Sequence, residues 1–172
     1  MNGNLEQLVQ RAKEHDPDAF TELMESLKYA LYKTARAILS NDEDVADAIQ
    51  DTMVTCWEKM GGLKNNSFFK TWITRILINK CYDLLKAKKR VVYMDEYPDI
   101  PAKEEDSDVE WKEMLAVLRK EYRLVVTLYY SQGFQTKEIA KILGITDSAV
   151  RSRLSRAREQ LERYYREAGK NE

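Results

Sequence analysis

The sequence is poor in the residues that build metal centres and active sites. Its 172 residues contain two cysteines, Cys56 and Cys81, and one histidine, His15. This set is too small and too widely spaced for a zinc module, which needs several thiolate or imidazole ligands at short spacings. No glycine-rich phosphate loop and no nucleophile with a neighbouring base are present. We therefore predict neither an enzyme nor a bound metal or cofactor.

Long apolar runs are missing as well. The sequence shows no secretory signal peptide and no apolar stretch long enough to span a bilayer. We therefore expect a soluble, intracellular protein with no direct insertion into membranes. In a reducing compartment the two cysteines are expected to be small core residues of helices.

Charge is abundant but segregated along the chain. Charged residues make up 33% of the sequence, yet the formal net charge is −1, so the total indicates no polyanionic partner. From Lys64 to Arg90 there are eight basic residues and one acid, whereas from Asp95 to Glu110 there are eight acids and one base. Solvated helix faces would not require this segregation. Together with the arginine-rich C-terminal segment, it indicates two nucleic-acid contact surfaces.

The stretch from Gln135 to Leu161 has the pattern of a helix-turn-helix. Gly144 suits the positive φ of a helix end, Ile145 is expected to be a buried plug, and Thr146 can cap the next helix. In that helix the apolar residues recur at helical steps and share one face. They are Val150, Leu154, Ala157 and Leu161.

The opposite face is rich in arginine and serine, which contact phosphates and base edges. The predicted DNA-contacting residues are Thr146, Ser148, Arg151, Ser152, Arg153, Ser155, Arg156 and Arg158. An ordinary αα-hairpin with a solvated basic face is the alternative. The turn residues and the one-sided arginines agree with each other, and this agreement favours DNA binding.

Apolar spacing predicts four helices in the first half of the chain, and two of them carry distinctive faces. The helix predicted over 42–60 is expected to bury Val45, Ile49, Met53, Trp57 and Met60. Its other side is acidic, which by itself is most often only a solvated face. The helix predicted from Phe68 to about Lys88 combines aromatic residues with cations, as suits single-stranded nucleic acid. The alternative places Phe68, Phe69 and Trp72 in the core, and for Trp72 alone we favour the core.

The helical pattern is lost from about Val91 to Asp108, where prolines and acids predict a flexible, self-repelling linker. The predicted fold class is therefore all-α, with two small helical domains joined by a flexible acidic linker and a helix-turn-helix in the second. The expected boundaries are 1–92, 93–109 and 110–172. The apolar run from Leu124 to Tyr129 is predicted to be helical, and the tail after Leu161 is expected to fray.

Three stretches in this order resemble the extracytoplasmic-function (ECF) sigma factors, the small promoter-specificity subunits of bacterial RNA polymerase. The family's polymerase-docking helix is similar to NDEDVADAIQDTMVTCWEKM. The family's segment that melts and reads the minus-10 element is similar to FFKTWITRILINKCYDLLKAKKR. The family's helix-turn-helix for the minus-35 element is similar to EIAKILGITDSAVRSRLSRAREQL. The resemblance covers roughly Asp16 to Leu161. It implies an alternative sigma factor that binds polymerase core and directs promoter-specific transcription initiation.

The resemblance also implies roles for individual residues. Contacts with the polymerase are implied for Asp47, Gln50, Asp51 and Glu58. Minus-10 contacts are implied for Lys64, Asn65, Asn66, Trp72, Arg75, Asn79, Lys80, Asp83 and Lys86, and which of them reads the flipped-out base stays open. The apolar surface from Leu124 to Tyr130 is expected to serve both core packing and the polymerase flap.

Family analogy adds partners and a location. The expected partners are RNA polymerase core, promoter DNA and an anti-sigma factor, and the expected location is cytoplasmic, with an anti-sigma partner able to hold the chain at the membrane. The competing hypothesis is a stand-alone helix-turn-helix regulator that dimerises through its first helical domain. Such a regulator would bind a palindrome unaided, whereas a sigma factor binds polymerase core as a monomer.

Overall fold

The structure is a computed structural model in which residues 2–91 and 106–169 are described. These residues form eight α-helices and no strand, so the all-α prediction is confirmed. The chain divides into two compact units, Met1–Tyr97 and Pro98–Glu172. Residues 93–105 of the predicted linker lie outside the described part of the chain, and residues 106–109 already belong to a helix.

The first unit consists of four helices. They are α1 (Asn2–Lys13), α2 (Pro17–Arg36), α3 (Asp42–Lys59) and α4 (Phe69–Val91). Two short 3₁₀ turns, Met60–Gly62 and Asn66–Phe68, connect α3 to α4. The core between the helices is apolar and contains the fully buried side chains of Leu23, Phe69, Ile73 and Leu77.

Side-chain caps begin α2 and α3. The carboxylate of Asp16 accepts hydrogen bonds from two backbone N–H groups of the first turn of α2, at 3.0 and 3.1 Å. Pro17 occupies the first helical position. A backbone N–H there has no acceptor within the helix, so the absence of an N–H in proline costs no hydrogen bond. At α3, Asn41 Oδ1 accepts a hydrogen bond from the backbone N–H of Asp44 at 2.8 Å.

The buried stripe of α3 is centred one position from the stripe that the sequence predicts, and Ile49 and Met53 pack against the core from its edge. Val45 and Met60 are buried as expected. The predicted core residues that are only half-buried are Ile49, Met53 and Trp57. The residues buried between Val45 and Met60 are Ala48, Thr52 and Cys56. Small side chains let α3 approach its neighbours closely, and Thr52 satisfies its hydroxyl by donating to the Ala48 carbonyl at 2.7 Å.

The second unit also contains four helices. They are α5 (Asp106–Val117), α6 (Lys120–Val126), α7 (Thr136–Leu143) and α8 (Asp147–Gly169), with a π-helical turn, Thr127–Ser131, after α6. The expectation that the chain frays after Leu161 is wrong, because α8 continues to Gly169. Gln160 anchors this extension by donating Nε2–H to the Val117 carbonyl at 2.9 Å, at the end of α5.

The turn between α7 and α8 has the geometry expected of a helix-turn-helix. Gly144 has φ +66°, and the next residue, Ile145, donates its backbone N–H to the Ala140 carbonyl at 3.1 Å. Thr146 Oγ1 accepts a hydrogen bond from the Ala149 N–H at 3.1 Å and so caps α8. Ile145 is half-buried rather than buried. The predicted turn residues therefore make the predicted turn.

We expect Gly144→Ala to lower the free energy of unfolding by about 1 kcal/mol, because a Cβ strains the left-handed backbone conformation. Apart from Gly144 and its two chain neighbours, no residue has an atom within 4 Å of the added Cβ, so the effect is conformational and not a clash with the surrounding structure. Gly62→Ala is the matched control, since Gly62 has equal space and no positive φ. Urea unfolding followed by circular dichroism measures both variants. Equal losses of unfolding free energy in the two variants would contradict a left-handed backbone conformation at Gly144.

Burial raises the pKa of the Cys56 and Cys81 thiols from an ordinary 9.0 to about 12. We therefore expect iodoacetamide to modify neither thiol in the folded protein at about pH 8 and both in urea, since only the thiolate reacts. The thiols stay protonated in the fold but ionise when unfolded, so their contribution to stability is complete below pH 9 and is lost progressively as the pH rises toward 12. Labelling of the native protein, measured by mass spectrometry, would contradict this.

Candidate functional site

One side of α8 presents the arginine and serine residues predicted to contact DNA. Val150, Leu154 and Ala157 are buried on the other side. The predicted contact residues that are exposed are Thr146, Ser148, Arg151, Ser152, Ser155, Arg156 and Arg158. Arg153 is half-buried at the border of the apolar side. The helix therefore displays hydrogen-bond donors along one face, which we call the α8 face.

Two arginines of the α8 face already have partners inside the unit. Arg151 Nη2 lies 3.1 Å from Asp147 Oδ2, one helical turn earlier. Arg158 donates Nε–H to the Tyr130 hydroxyl at 2.7 Å. That hydrogen bond is the main cause of a raised pKa for Arg158, so its guanidinium remains charged. Both contacts are exposed and orient the side chains without removing them from solvent.

The run over residues 124–130 serves core packing, as expected, and exposes Tyr130 at its end. Leu124 to Leu128 are all buried in the core of the second unit, whereas Tyr130 is 54% exposed. Tyr130 lies in the π-helical turn Thr127–Ser131, 28 positions before its partner Arg158. No spacing pattern in the sequence signals such a pair.

A second polar surface runs along α4. Its members recur at steps of three and four residues and therefore share one face, which we call the α4 face. They are Trp72, Arg75, Asn79, Asp83 and Lys86. All are exposed except Trp72, which is half-buried and packs on Phe69 with ring centroids 5.9 Å apart. Lys80 lies beside this face and is half-buried.

The loop over residues 63–68 leads into the α4 face, and its two asparagines are engaged within the protein. Asn65 Oδ1 accepts hydrogen bonds from the backbone N–H and the hydroxyl of Ser67, at 2.9 and 2.7 Å. Asn66 Oδ1 accepts from Lys13 Nζ at 3.1 Å, and Asn66 Nδ2 donates to Gln10 Oε1 at 2.9 Å. The family resemblance implies that both asparagines contact DNA, and in the structure their side chains make hydrogen bonds that shape the loop.

Phe68 stands out among the three aromatic residues at the start of α4. Phe69 is fully buried and Trp72 is half-buried, but the Phe68 ring is 59% exposed at the end of the 63–68 loop. Lys64, in the same loop, is also exposed. An exposed aromatic ring beside cations can stack on an unpaired base. Phe68 is absent from the residues predicted for this site, because the sequence alone does not separate it from the core aromatics.

The third surface is on α3. Its predicted polar residues are all exposed, and they are Asp47, Gln50, Asp51 and Glu58. Val54, which is 54% exposed, lies among them. Beside this α3 face is an apolar groove of about 360 Å³, lined by Tyr32, Asp42, Val45, Ala46, Ile49, Gln50 and Met53. An apolar centre with a polar rim is typical of a protein–protein contact.

The half-buried state of Ile49 and Met53 explains the groove. Both were predicted to be core residues, but they lie one position along the helix from the buried Ala48 and Thr52. Their side chains therefore form part of an open surface next to the acids. The combination of apolar and acidic groups was not predicted, because the two kinds of residue were assigned to opposite sides of α3.

Within residues 2–91 and 106–169, no three or more histidine, cysteine or carboxylate side chains converge on a possible metal position. Among the helices in that part of the chain, none combines the length and apolar character needed to cross a membrane.

Comparison with known proteins gives matches along most of the chain. The Sigma-70 region 2 family matches residues 23–91, and the Sigma-70, region 4 family matches residues 108–161. The ECF RNA polymerase sigma factor SigM of Mycobacterium tuberculosis is 31% identical over 153 residues, which cover 86% of this chain and 78% of SigM. The RNA polymerase sigma factor NccH of Alcaligenes xylosoxydans xylosoxydans is 30% identical over 170 residues, covering 91% of each chain.

The fold is also similar to that of a solved complex. In the co-crystal structure of the sigma factor RpoE with the anti-sigma factor NepR from Bartonella quintana, the matched chain has a TM-score of 0.71 and 26% sequence identity. The match covers 86% of this chain and 96% of that one.

Proposed function

The chain belongs to the ECF sigma factors of bacterial RNA polymerase, and we propose that its three polar surfaces contact the polymerase core, the minus-10 DNA and the minus-35 DNA. It is an alternative sigma factor that directs promoter-specific initiation and has no enzymatic role of its own. A stand-alone regulator is not favoured, because both sigma regions are present in order. We assign region 2 functions to residues 1–92. Because α5 begins at Asp106 and the region 4 match begins at residue 108, we assign the linker to residues 93–105, a shorter range than the sequence predicts, and region 4 functions to residues 106–172.

The observation that carries this proposal is the separation of three chemically different surfaces. The α3 face is acidic with an apolar groove, the α4 face is polar with cations, and the α8 face is rich in arginine and serine. A DNA-binding regulator needs only the last of these. Run-off transcription with purified core polymerase and a promoter library tests the proposal. A chain that directs no initiation, but dimerises and binds a palindrome, would overturn it.

At the minus-10 element, the 63–68 loop and the α4 face are proposed to capture an unstacked base. Unstacking costs a few kcal/mol, and stacking and hydrogen bonding in a protein site offset that cost. The exposed Phe68 ring supplies the stacking surface. Lys64, Arg75 and Lys86 neutralise phosphates, while the polar groups that can hydrogen-bond a base edge are those of Asn79 and Asp83. Trp72 and Lys80 contribute from the half-buried border.

At the minus-35 element, the α8 face is proposed to enter the major groove. Its N-terminal residues Thr146, Ser148 and Arg151 are placed for base edges, since recognition helices read bases with their N-terminal part. The Tyr130 contact orients Arg158 toward the same face, where a fixed guanidinium is suited to a phosphate.

The α3 face and its groove are proposed to bind the polymerase core. Asp47, Gln50, Asp51 and Glu58 form the polar rim, and Val54 and Met53 supply apolar area. We also propose an anti-sigma partner, which the similarity to the RpoE–NepR complex supports. Because polymerase and promoter DNA are its partners, the chain is proposed to act in the cytoplasm, where an anti-sigma partner is able to hold it at the membrane.

We expect Asp51→Arg to weaken binding to polymerase core about tenfold, because it inverts the charge at the centre of an acidic contact. Circular dichroism should be unchanged, since Asp51 is exposed. Glu22→Arg is the matched control, with the same charge change at an exposed position of α2 outside the α3 face. Titration of labelled chain with core polymerase measures both. Unchanged affinity for Asp51→Arg, or an equal loss for the control, would contradict the assignment.

We expect Arg151→Ala to relax base preference at one minus-35 position by about 1–3 kcal/mol, the loss of one base contact. Arg163→Ala serves as control, because Arg163 is exposed on α8 beyond the helix-turn-helix. Competition binding of polymerase holoenzyme to promoters with all four bases at each minus-35 position provides the measurement. A uniform loss over all sequences would instead assign Arg151 to a phosphate.

A further inference from the structure

Side chains near the end of α1 form hydrogen bonds with the 63–68 loop. Lys13 Nζ donates hydrogen bonds to the Leu63 carbonyl at 2.7 Å and to Asn66 Oδ1 at 3.1 Å. One lysine therefore binds the beginning and the middle of the same loop. Because Lys13 is half-buried, these charge-assisted hydrogen bonds are screened less than those at a fully exposed site.

A second side chain of α1 completes the contact. Gln10 Oε1 accepts a hydrogen bond from Asn66 Nδ2 at 2.9 Å, and Gln10 Nε2 in turn donates to Glu14 Oε1 at 2.9 Å. The amide of Asn66 is thus bound at both its oxygen and its nitrogen. Since Asn66 begins the 3₁₀ turn that ends in Phe68, α1 fixes the segment that carries the exposed ring.

We propose that Lys13, assisted by Gln10, is a positioning residue for minus-10 recognition. It holds the 63–68 loop in the conformation in which Phe68 and Lys64 project outward to receive an unstacked base. The inference rests on the proposed function of this loop. Lys13 lies ten positions before the start of the region 2 match at residue 23, so it extends the recognition apparatus into α1.

The physical basis is pre-organisation. A loop that must be ordered when the base arrives loses conformational freedom at that moment, and this loss reduces both affinity and discrimination. A loop that is already fixed discriminates between bases through contacts that are in place. Removal of Lys13 should therefore reduce selectivity among bases more than it reduces binding to duplex DNA or to polymerase.

The test compares Lys13→Met with Arg11→Met in the full chain assembled with polymerase core. Both variants remove one cation from the last turn of α1, but Arg11 pairs with Asp16, at 2.6 Å, and not with the loop. Initiation is measured on promoters carrying each of the four bases at every non-template minus-10 position. We expect Lys13→Met to lose about tenfold in discrimination at one position, and Arg11→Met to stay within about twofold of the unaltered chain.

Two more variants keep the test independent of global stability. Lys13→Arg retains a donor of similar reach and should restore part of the discrimination. Gln10→Ala alters an exposed side chain and should give a smaller loss at the same base position. Affinity for polymerase core and minus-35 preference should be unchanged in all of them, which a general loss of folding would not allow.

Phe68→Ala separates failure of this inference from failure of the proposed function. If Phe68→Ala abolishes base discrimination while Lys13→Met leaves it intact, the positioning role is overturned and the function of the loop stands. A uniform loss over all bases with a weaker salt dependence would mean that Lys13 contacts a phosphate, which also overturns the inference. If neither variant changes discrimination, the loop does not read the minus-10 element and both proposals fall.

Discussion

The packing of α3 and α4 in one core determines how the first unit displays its surfaces. α3 contributes the small buried side chains Ala48, Thr52 and Cys56, and α4 contributes Phe69, Ile73 and Leu77. Each helix buries one stripe of side chains in the core and exposes the opposite stripe to solvent. The acidic α3 face and the polar α4 face are consequences of this division. Two neighbouring helices can therefore present two chemically different surfaces without either surface interrupting the core.

The residues proposed to contact DNA and the residues that position them belong to the same chemical types. Asn65 and Asn66 belong to a residue type that contacts nucleic acid, yet the side chains of both are hydrogen-bonded inside their own unit. Lys88, from the basic block, pairs with Asp44 at 2.5 Å and ties the end of α4 to the start of α3. Composition identifies where such residues cluster. Only the fold separates the residue that binds from the residue that supports.

Local signals in the sequence predict the helices well. Helix caps and turns depend on hydrogen bonds or backbone angles within a few residues, so they can be predicted from the local sequence. The examples here are Asp16, Asn41, Gly144 and Thr146. The inward face of α3 was not predictable in the same way. Alanine, threonine and cysteine carry a weak apolar signal, whereas Ile49, Met53 and Trp57 carry a strong one, and close helix packing favours the small residues.

Contacts over long sequence distances account for the remaining differences. Gln160 extends α8 by binding the end of α5, 43 positions earlier. Lys13 shapes a loop 50 positions away, and Tyr130 orients an arginine 28 positions away. Each pair is decided by tertiary packing, and no periodicity in the chain encodes it. The candidate surfaces could thus be located from the sequence. Which of their residues are free to bind a partner, and which are hydrogen-bonded within the unit, could not.

The near-zero net charge conceals an electrostatic constraint on DNA binding. The α8 and α4 faces attract phosphates, but the acidic α3 face and the acids of residues 95–110 repel them. In a free chain these contributions oppose one another, so we expect duplex DNA to be held weakly. A protein partner that covers the α3 face removes part of the repulsion and leaves the basic surfaces to act. With the proposed assignment of the surfaces, this charge pattern is expected to couple promoter recognition to partner binding, as suits a subunit of a larger complex better than an independent regulator.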